Sequence, residues 1–322
     1  MLKKQMKYIM LLVLFLSGCG TSTEKTDQTG TPFVDEAVLG EVESEQDILT
    51  EEPALPDILQ PEASGTVTEE NEKAIIDYSN ISDGYVMVQY TAETTQKLKV
   101  QVKGPTTTYT YTIQPGEWET FPVSDGNGEY QITLYENVEE KKYATVVSAT
   151  AEVSLADEFA PFLRPNQYVD YAVAEETVKL AAKLTAGKST ELEKVQAVYE
   201  YVIKNITYDE KLAETVKSGY LPVLDNVLKN KTGICFDYAA LMTGMLRSQS
   251  VPCKLVVGYA GEVYHAWISV YTEKDGWIDN AIYFDGTTWK RMDPTFAASG
   301  NRSETIMKYI GDGSNYTSKY IY

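Results

Sequence analysis

The sequence contains one histidine, His265, and three cysteines, Cys19, Cys235 and Cys253, in 322 residues. A single histidine excludes zinc sites built on two of them. Three cysteines are too few for a disulfide scaffold or a four-thiolate metal site. Basic residues are also scarce, 28 Lys and Arg against 47 Asp and Glu, for a formal charge of −19. A chain this acidic repels phosphate backbones, so general nucleic-acid binding is set aside. The N-terminal apolar run, Tyr8 to Leu16, is too short to cross a bilayer as a mature helix. Core-forming residues are not lacking: 43% of the chain is hydrophobic and tyrosine occurs 24 times.

The chain begins with Lys3, Lys4 and Lys7, then the apolar run, then Leu16-Ser17-Gly18-Cys19. Basic, apolar and small-residue regions in that order describe an export signal over 1–18. The ending resembles a bacterial lipobox, which implies cleavage before Cys19 and lipid on its sulfur. Two acyl chains suffice for stable anchoring, so the expected location is extracytoplasmic, held to the membrane through Cys19. Residues 19–72 hold fifteen acidic side chains and one lysine among Ser, Thr, Gly and Pro. Such a segment buries too little to offset its ordering entropy and reads as a disordered tether.

From 73 to 155 the apolar period is two. Val86, Val88 and Tyr90, then Leu98, Val100 and Val102, then Tyr109, Tyr111 and Ile113, then Tyr130, Ile132 and Leu134 each alternate with polar neighbours, and a long strand fits 142–153. Gly104-Pro105, Pro115-Gly116 and the Asp125–Gly128 turn separate the runs. About six short antiparallel strands at this spacing predict an Ig-like β-sandwich. The Asp125–Gly128 run starts like a calcium loop, but Tyr130 stands where that loop needs glycine, so no calcium is expected.

After residue 156 the period becomes helical. A helix is expected over 174–186, and another from Thr190, where Glu193 completes a capping-box pattern. Val195, Val198, Val202 and Ile203 form its stripe, Asn205-Ile206-Thr207-Tyr208 ends it, and a third helix is expected over 221–230. A helical run follows Cys235, which puts this thiol at a helix N-terminus, where free N–H groups and the macrodipole favour the thiolate. Strand patterns at 254–260 and 263–272 follow, the second carrying His265, and Asp293 closes a later strand before Pro294.

GICFDYA at 233–239, YHAW at 264–267 and MDPT at 292–295 resemble the three motifs of the transglutaminase-like superfamily. The resemblance covers about half the chain. It implies a papain-like fold for 156–322, with a catalytic Cys opening a helix and His and Asp on neighbouring strands. Carried over, Cys235 is the nucleophile, His265 the proton carrier and Asp293 the residue that holds the imidazole. The Cys235 backbone N–H would bind the oxyanion, and Tyr208 is the candidate second donor. Two departures stand out: 28 residues separate His265 from Asp293, and Ile268 follows Trp267 where many relatives carry Asn.

The chain is therefore expected to be α+β: signal 1–18, tether 19–72, Ig-like β-sandwich 73–155 and papain-like transglutaminase core 156–322. The expected chemistry is thiol-dependent attack on peptide or protein amides at the cell envelope, ending in hydrolysis or cross-linking, without metal or cofactor. The other reading is an inactive surface binding or scaffold module. A Cys235–Cys253 disulfide would enforce it. Against that bridge, Cys253 should lie at the far end of the helix that Cys235 opens, about 18 Å away.

Overall fold

The computed structural model describes residues 53–279 and 316–322, and the backbone pairing of 283–284 with 289–290. Cys19, Asp293 and the first part of the expected tether lie outside the described residues. Eight strands come first: β1 (Thr68–Glu70), β2 (Ala74–Asp77), β3 (Tyr85–Tyr90), β4 (Leu98–Lys103), β5 (Thr108–Ile113), β6 (Trp118–Pro122), β7 (Gly128–Glu139) and β8 (Lys142–Val153). They make two four-stranded antiparallel sheets, ordered β1-β2-β3-β6 and β5-β4-β7-β8. In β4 and β5 alternate side chains are buried, as a sheet with one wet face requires.

Ordered structure begins earlier than residue 73. β1 pairs with β2, the Glu62 N–H donates to the Tyr85 hydroxyl, and the Gly65 N–H donates to Asp77. A three-residue strand and isolated polar contacts are too short to register against an acidic background composition.

The second half runs α1 (Glu175–Thr185), α2 (Glu191–Asn205), β9 (Thr207–Tyr208), α3 (Glu210–Thr215), α4 (Leu224–Asn230), β10 (Thr232–Gly233), α5 (Cys235–Ser248), β11 (Cys253–Ala260), β12 (Val263–Thr272), β13 (Gly276–Ile278), β14 (Tyr283–Phe284), β15 (Trp289–Lys290) and β16 (Tyr316–Ile321). The capping box opening α2 forms in both directions: the Glu193 N–H donates to the Thr190 hydroxyl, and Glu193 accepts from the Thr190 N–H. From Asp237 to Ser248 every residue of α5 is buried, which marks it as the central helix. A sheet ordered β13-β12-β11-β16 flanks it. Among the described residues no helix is long and apolar enough to cross a membrane.

The halves share an aromatic seam. Tyr109 and Tyr111 on β5 meet the Tyr322 ring at 5.5 and 5.9 Å, and Tyr111 meets Tyr168 at 5.4 Å. Tyr168 in turn stands edge-on to Phe236 at 5.4 Å. Burial pushes the phenols of Tyr111, Tyr171 and Tyr322 above their ordinary range and that of Tyr168 up to about 12. The unfolded chain loses these protons near pH ~10. Stability is thus complete below that value and falls as pH rises toward and past 12. Melting temperatures measured from pH 8 to 11.5 should be level at first and drop steeply above ~10. Tyr111→Phe should shallow that drop, and at neutral pH it removes a hydroxyl that has no hydrogen-bond partner among the described residues. A profile level throughout, in both proteins, would contradict this account.

Candidate active site

Cys235 is the first residue of α5, and its approach is fixed residue by residue. α4 stops at Lys231, left-handed at φ 53°. β10 then pairs in parallel with β9, setting Gly233 opposite Tyr208. Ile234 is extended, and its N–H donates to Asp237 Oδ2 at 2.8 Å, which satisfies one of the helix's leading donors. The Asp237 side chain folds back so closely that a Cβ on Gly233 would lie 2.6 Å from the Asp237 Cβ. The glycine two residues before Cys235 is thus required by the aspartate two residues after it. Asp237 is fully buried, and burial pushes its carboxyl up despite the bonds from Ile234 and Tyr220. The Tyr220 hydroxyl donates to its other oxygen at 2.7 Å.

His265 lies on β12 opposite Gly258 of β11, and it is 5% exposed. Its ring stacks on Trp267 with centroids 6.3 Å apart and meets Tyr316 of β16 at 6.4 Å. Gly258 leaves room for this layer: a Cβ there would collide with the Thr317 carbonyl and sit 2.8 Å from the Trp267 ring.

Cys235 and His265 line the same cleft, about 600 Å³ in volume. Tyr208, Tyr220, Tyr264 and Tyr322 supply much of its wall. The structure thus brings two of the three expected residues to one cavity, and the third, Asp293, falls outside the described residues. Tyr208 also reaches the cleft, beside the strand that leads into Cys235.

Cys253 stands apart. It is buried, its thiol donates to the Thr243 hydroxyl at 3.6 Å in the second half of α5, and burial pushes it up to about 11. Both described cysteines are free thiols, so no bridge consumes Cys235. Among the described residues no group of three or more His, Cys, Asp or Glu could hold a metal ion.

Sequence reading missed Tyr220, Asp237 and Lys217, which also lines the cleft. Asp237 had a usable signal: an acid at the third helical position suits a helix start. Tyr220 and Lys217 sit in an irregular segment with no periodicity to read.

The model of the transglutaminase-like superfamily matches residues 178–294. YebA of Bacillus subtilis (strain 168) is 28% identical over 126 residues, 33% of this chain and 17% of that protein. Kyphoscoliosis peptidase of Mus musculus is 28% identical over 165 residues, 46% of this chain and 22% of that protein. The match therefore spans about a fifth of these curated relatives. A solved structure of a candidate cysteine protease from Cytophaga hutchinsonii is 16% identical and covers 74% of this chain and 83% of that one, at a TM-score of 0.38.

Proposed function

With a transglutaminase-like domain at residues 178–294 as the premise, we propose that this chain performs thiol-dependent acyl chemistry on peptide or protein amides. The observation that carries the reading is that Cys235, at the head of a buried helix, and the lone histidine line one cleft. In the proposed cycle the Cys235 thiolate attacks an amide carbonyl carbon, and a C–S bond forms. The oxyanion is held by the Cys235 backbone N–H and the Tyr208 hydroxyl. The C–N bond then breaks, and the leaving amine takes the proton that His265 received from the thiol. Water or a second amine attacks the thioester, His265 removes its proton, and the thiolate departs. Asp293 holds the imidazole in its working tautomer and stabilises the imidazolium. An open cleft favours water unless an acceptor amine is held in place.

We place this activity at the outer face of a membrane, through lipid on Cys19 and the acidic tether. The 73–155 segment is read as Ig-like, on the support of the two antiparallel sheets that its strands β2 to β8 form together with β1, ordered β1-β2-β3-β6 and β5-β4-β7-β8.

The test is alkylation at mildly acidic pH, followed peptide by peptide, in wild type and in His265→Ala. A short thiol peptide gives the unassisted rate, and Cys253 reports any opening of the fold. Cys235 should react at least ~10-fold faster than the peptide thiol and lose that advantage in the variant. Slow labelling of Cys235 in both proteins would mean an inert thiol and a binding module.

A further inference from the structure

Resting on the peptide-amide reading above, we infer that the 216–220 segment is a specificity wall and that Lys217 on it selects substrates with an acidic side chain near the attacked amide.

The cleft has two unlike banks. One is the tip of the β11–β12 hairpin, where Val263 and Tyr264 are exposed at 57% and 55% and Tyr259 packs edge-on against Tyr264 at 5.5 Å. The other is the segment between α3 and α4, which contributes Val216, Lys217, Ser218, Gly219 and Tyr220. Apolar rings and branched chains on both banks suit a peptide laid between them. Among the described lining residues other than His265, Lys217 is the only one with a side chain of formal charge. That cation stands out in a chain with 47 acidic and 28 basic residues.

A lysine on a loose loop would read nothing, because its position would average out. This one is borne on a tight turn. The Tyr220 N–H donates to the Lys217 carbonyl at 3.2 Å, and Gly219 takes φ 89°, a conformation that glycine adopts without strain. The turn is then tied down from beneath, since the Tyr220 hydroxyl donates to Asp237 at 2.7 Å. Asp237 is the fully buried residue that also caps Ile234, directly before Cys235. One carboxylate therefore sets both the start of the nucleophile's helix and the height of the wall carrying Lys217. With its turn fixed, the ammonium can reach an acidic side chain on only a few positions of a bound peptide. Complementary charge of this kind sorts partners more than it adds raw affinity. The net negative charge of the chain acts over longer distances and is largely screened at physiological salt.

The experiment uses the full chain. The probes are matched peptides with Glu, Gln or Lys at each of three positions on either side of the amide, and amine release is followed. At one position kcat/KM for Glu should exceed that for Lys by about tenfold. Lys217→Glu should invert the ratio. Lys142→Glu, an equal charge change on the distant β7–β8 hairpin, should keep it. Tyr220→Phe keeps the ring but cuts the tie, and should lower the ratio severalfold by raising KM for the Glu peptide while kcat holds. Turnover with a Glu/Lys ratio that Lys217→Glu leaves unchanged would overturn the inference and spare the enzyme reading. Absence of turnover on every peptide by the wild-type protein would remove both.

Discussion

Cys235→Ala should reduce turnover of peptide amides by roughly 10⁴-fold or more, with the fold intact. The size follows from the residue's place in the proposed cycle: it makes the bond that splits one hard step into two easier ones. The other described thiol cannot replace it, because Cys253 is buried against Thr243 with its thiol pushed up to about 11. The structural cost should be small. Cys235 is half-buried at the first position of α5, and alanine is at least as good a helix former there. An unchanged melting temperature with lost turnover would therefore locate the effect in chemistry. In the proposed cycle Asp293 acts only through the imidazole, so Asp293→Asn should cost less than Cys235→Ala, roughly 10²–10⁴-fold. Turnover that survives Cys235→Ala within tenfold would move the reaction to another group and end the thiol reading.

The parts of this arrangement that could be read in advance are those whose signal is local. Thr190 and Glu193 lie three residues apart, so their mutual cap is written in one short stretch, and both bonds are present. The inward Tyr109, Tyr111 and Ile113 alternate with threonines, so their strand is evident from period alone. β16 had no such mark. Its residues Thr317, Ser318 and Lys319 are exposed in succession, and the strand is held by pairing with β11 rather than by an apolar face. α3 is a six-residue helix without a buried residue, so no apolar stripe identifies it, though Asp209 caps it through the Leu212 N–H. The Tyr220–Asp237 tie joins positions 17 apart across an irregular segment, and nothing in either residue names the other. Legibility thus ended where one element's stability comes from another, which is also where the cleft acquires its walls.

Arg247 is the second place where a large effect is expected, and it shows how the cleft is held from behind. It lies near the end of α5, 2% exposed, and donates to three backbone carbonyls: Cys253 at 2.8 Å, Arg164 at 2.8 Å and Tyr322 at 2.7 Å. Those carbonyls belong to the start of β11, the segment leading to Tyr168, and the residue that follows β16. Burial pulls the guanidinium down to about 10, and its charge is held by the three backbone oxygens it bonds and by the C-terminal end of the helix. Only a planar fork can serve three acceptors in three directions.

Arg247→Met keeps much of the volume and removes every donor, so buried carbonyls lose their partners. The expected cost is about 3–5 kcal/mol, reduced by whatever desolvation the charge itself had imposed. For a chain of this size that corresponds to a fall in melting temperature of about 10 °C. Arg247→Lys should fall between, since one ammonium cannot span the three segments. The loss should leave Cys235 reactive in the folded protein well below the transition, because Arg247 sits at the foot of α5 and the thiol at its head. A melting temperature unchanged in Arg247→Met would mean that water satisfies the three carbonyls, and that the ring of Tyr322 is held in the cleft wall by its aromatic neighbours alone.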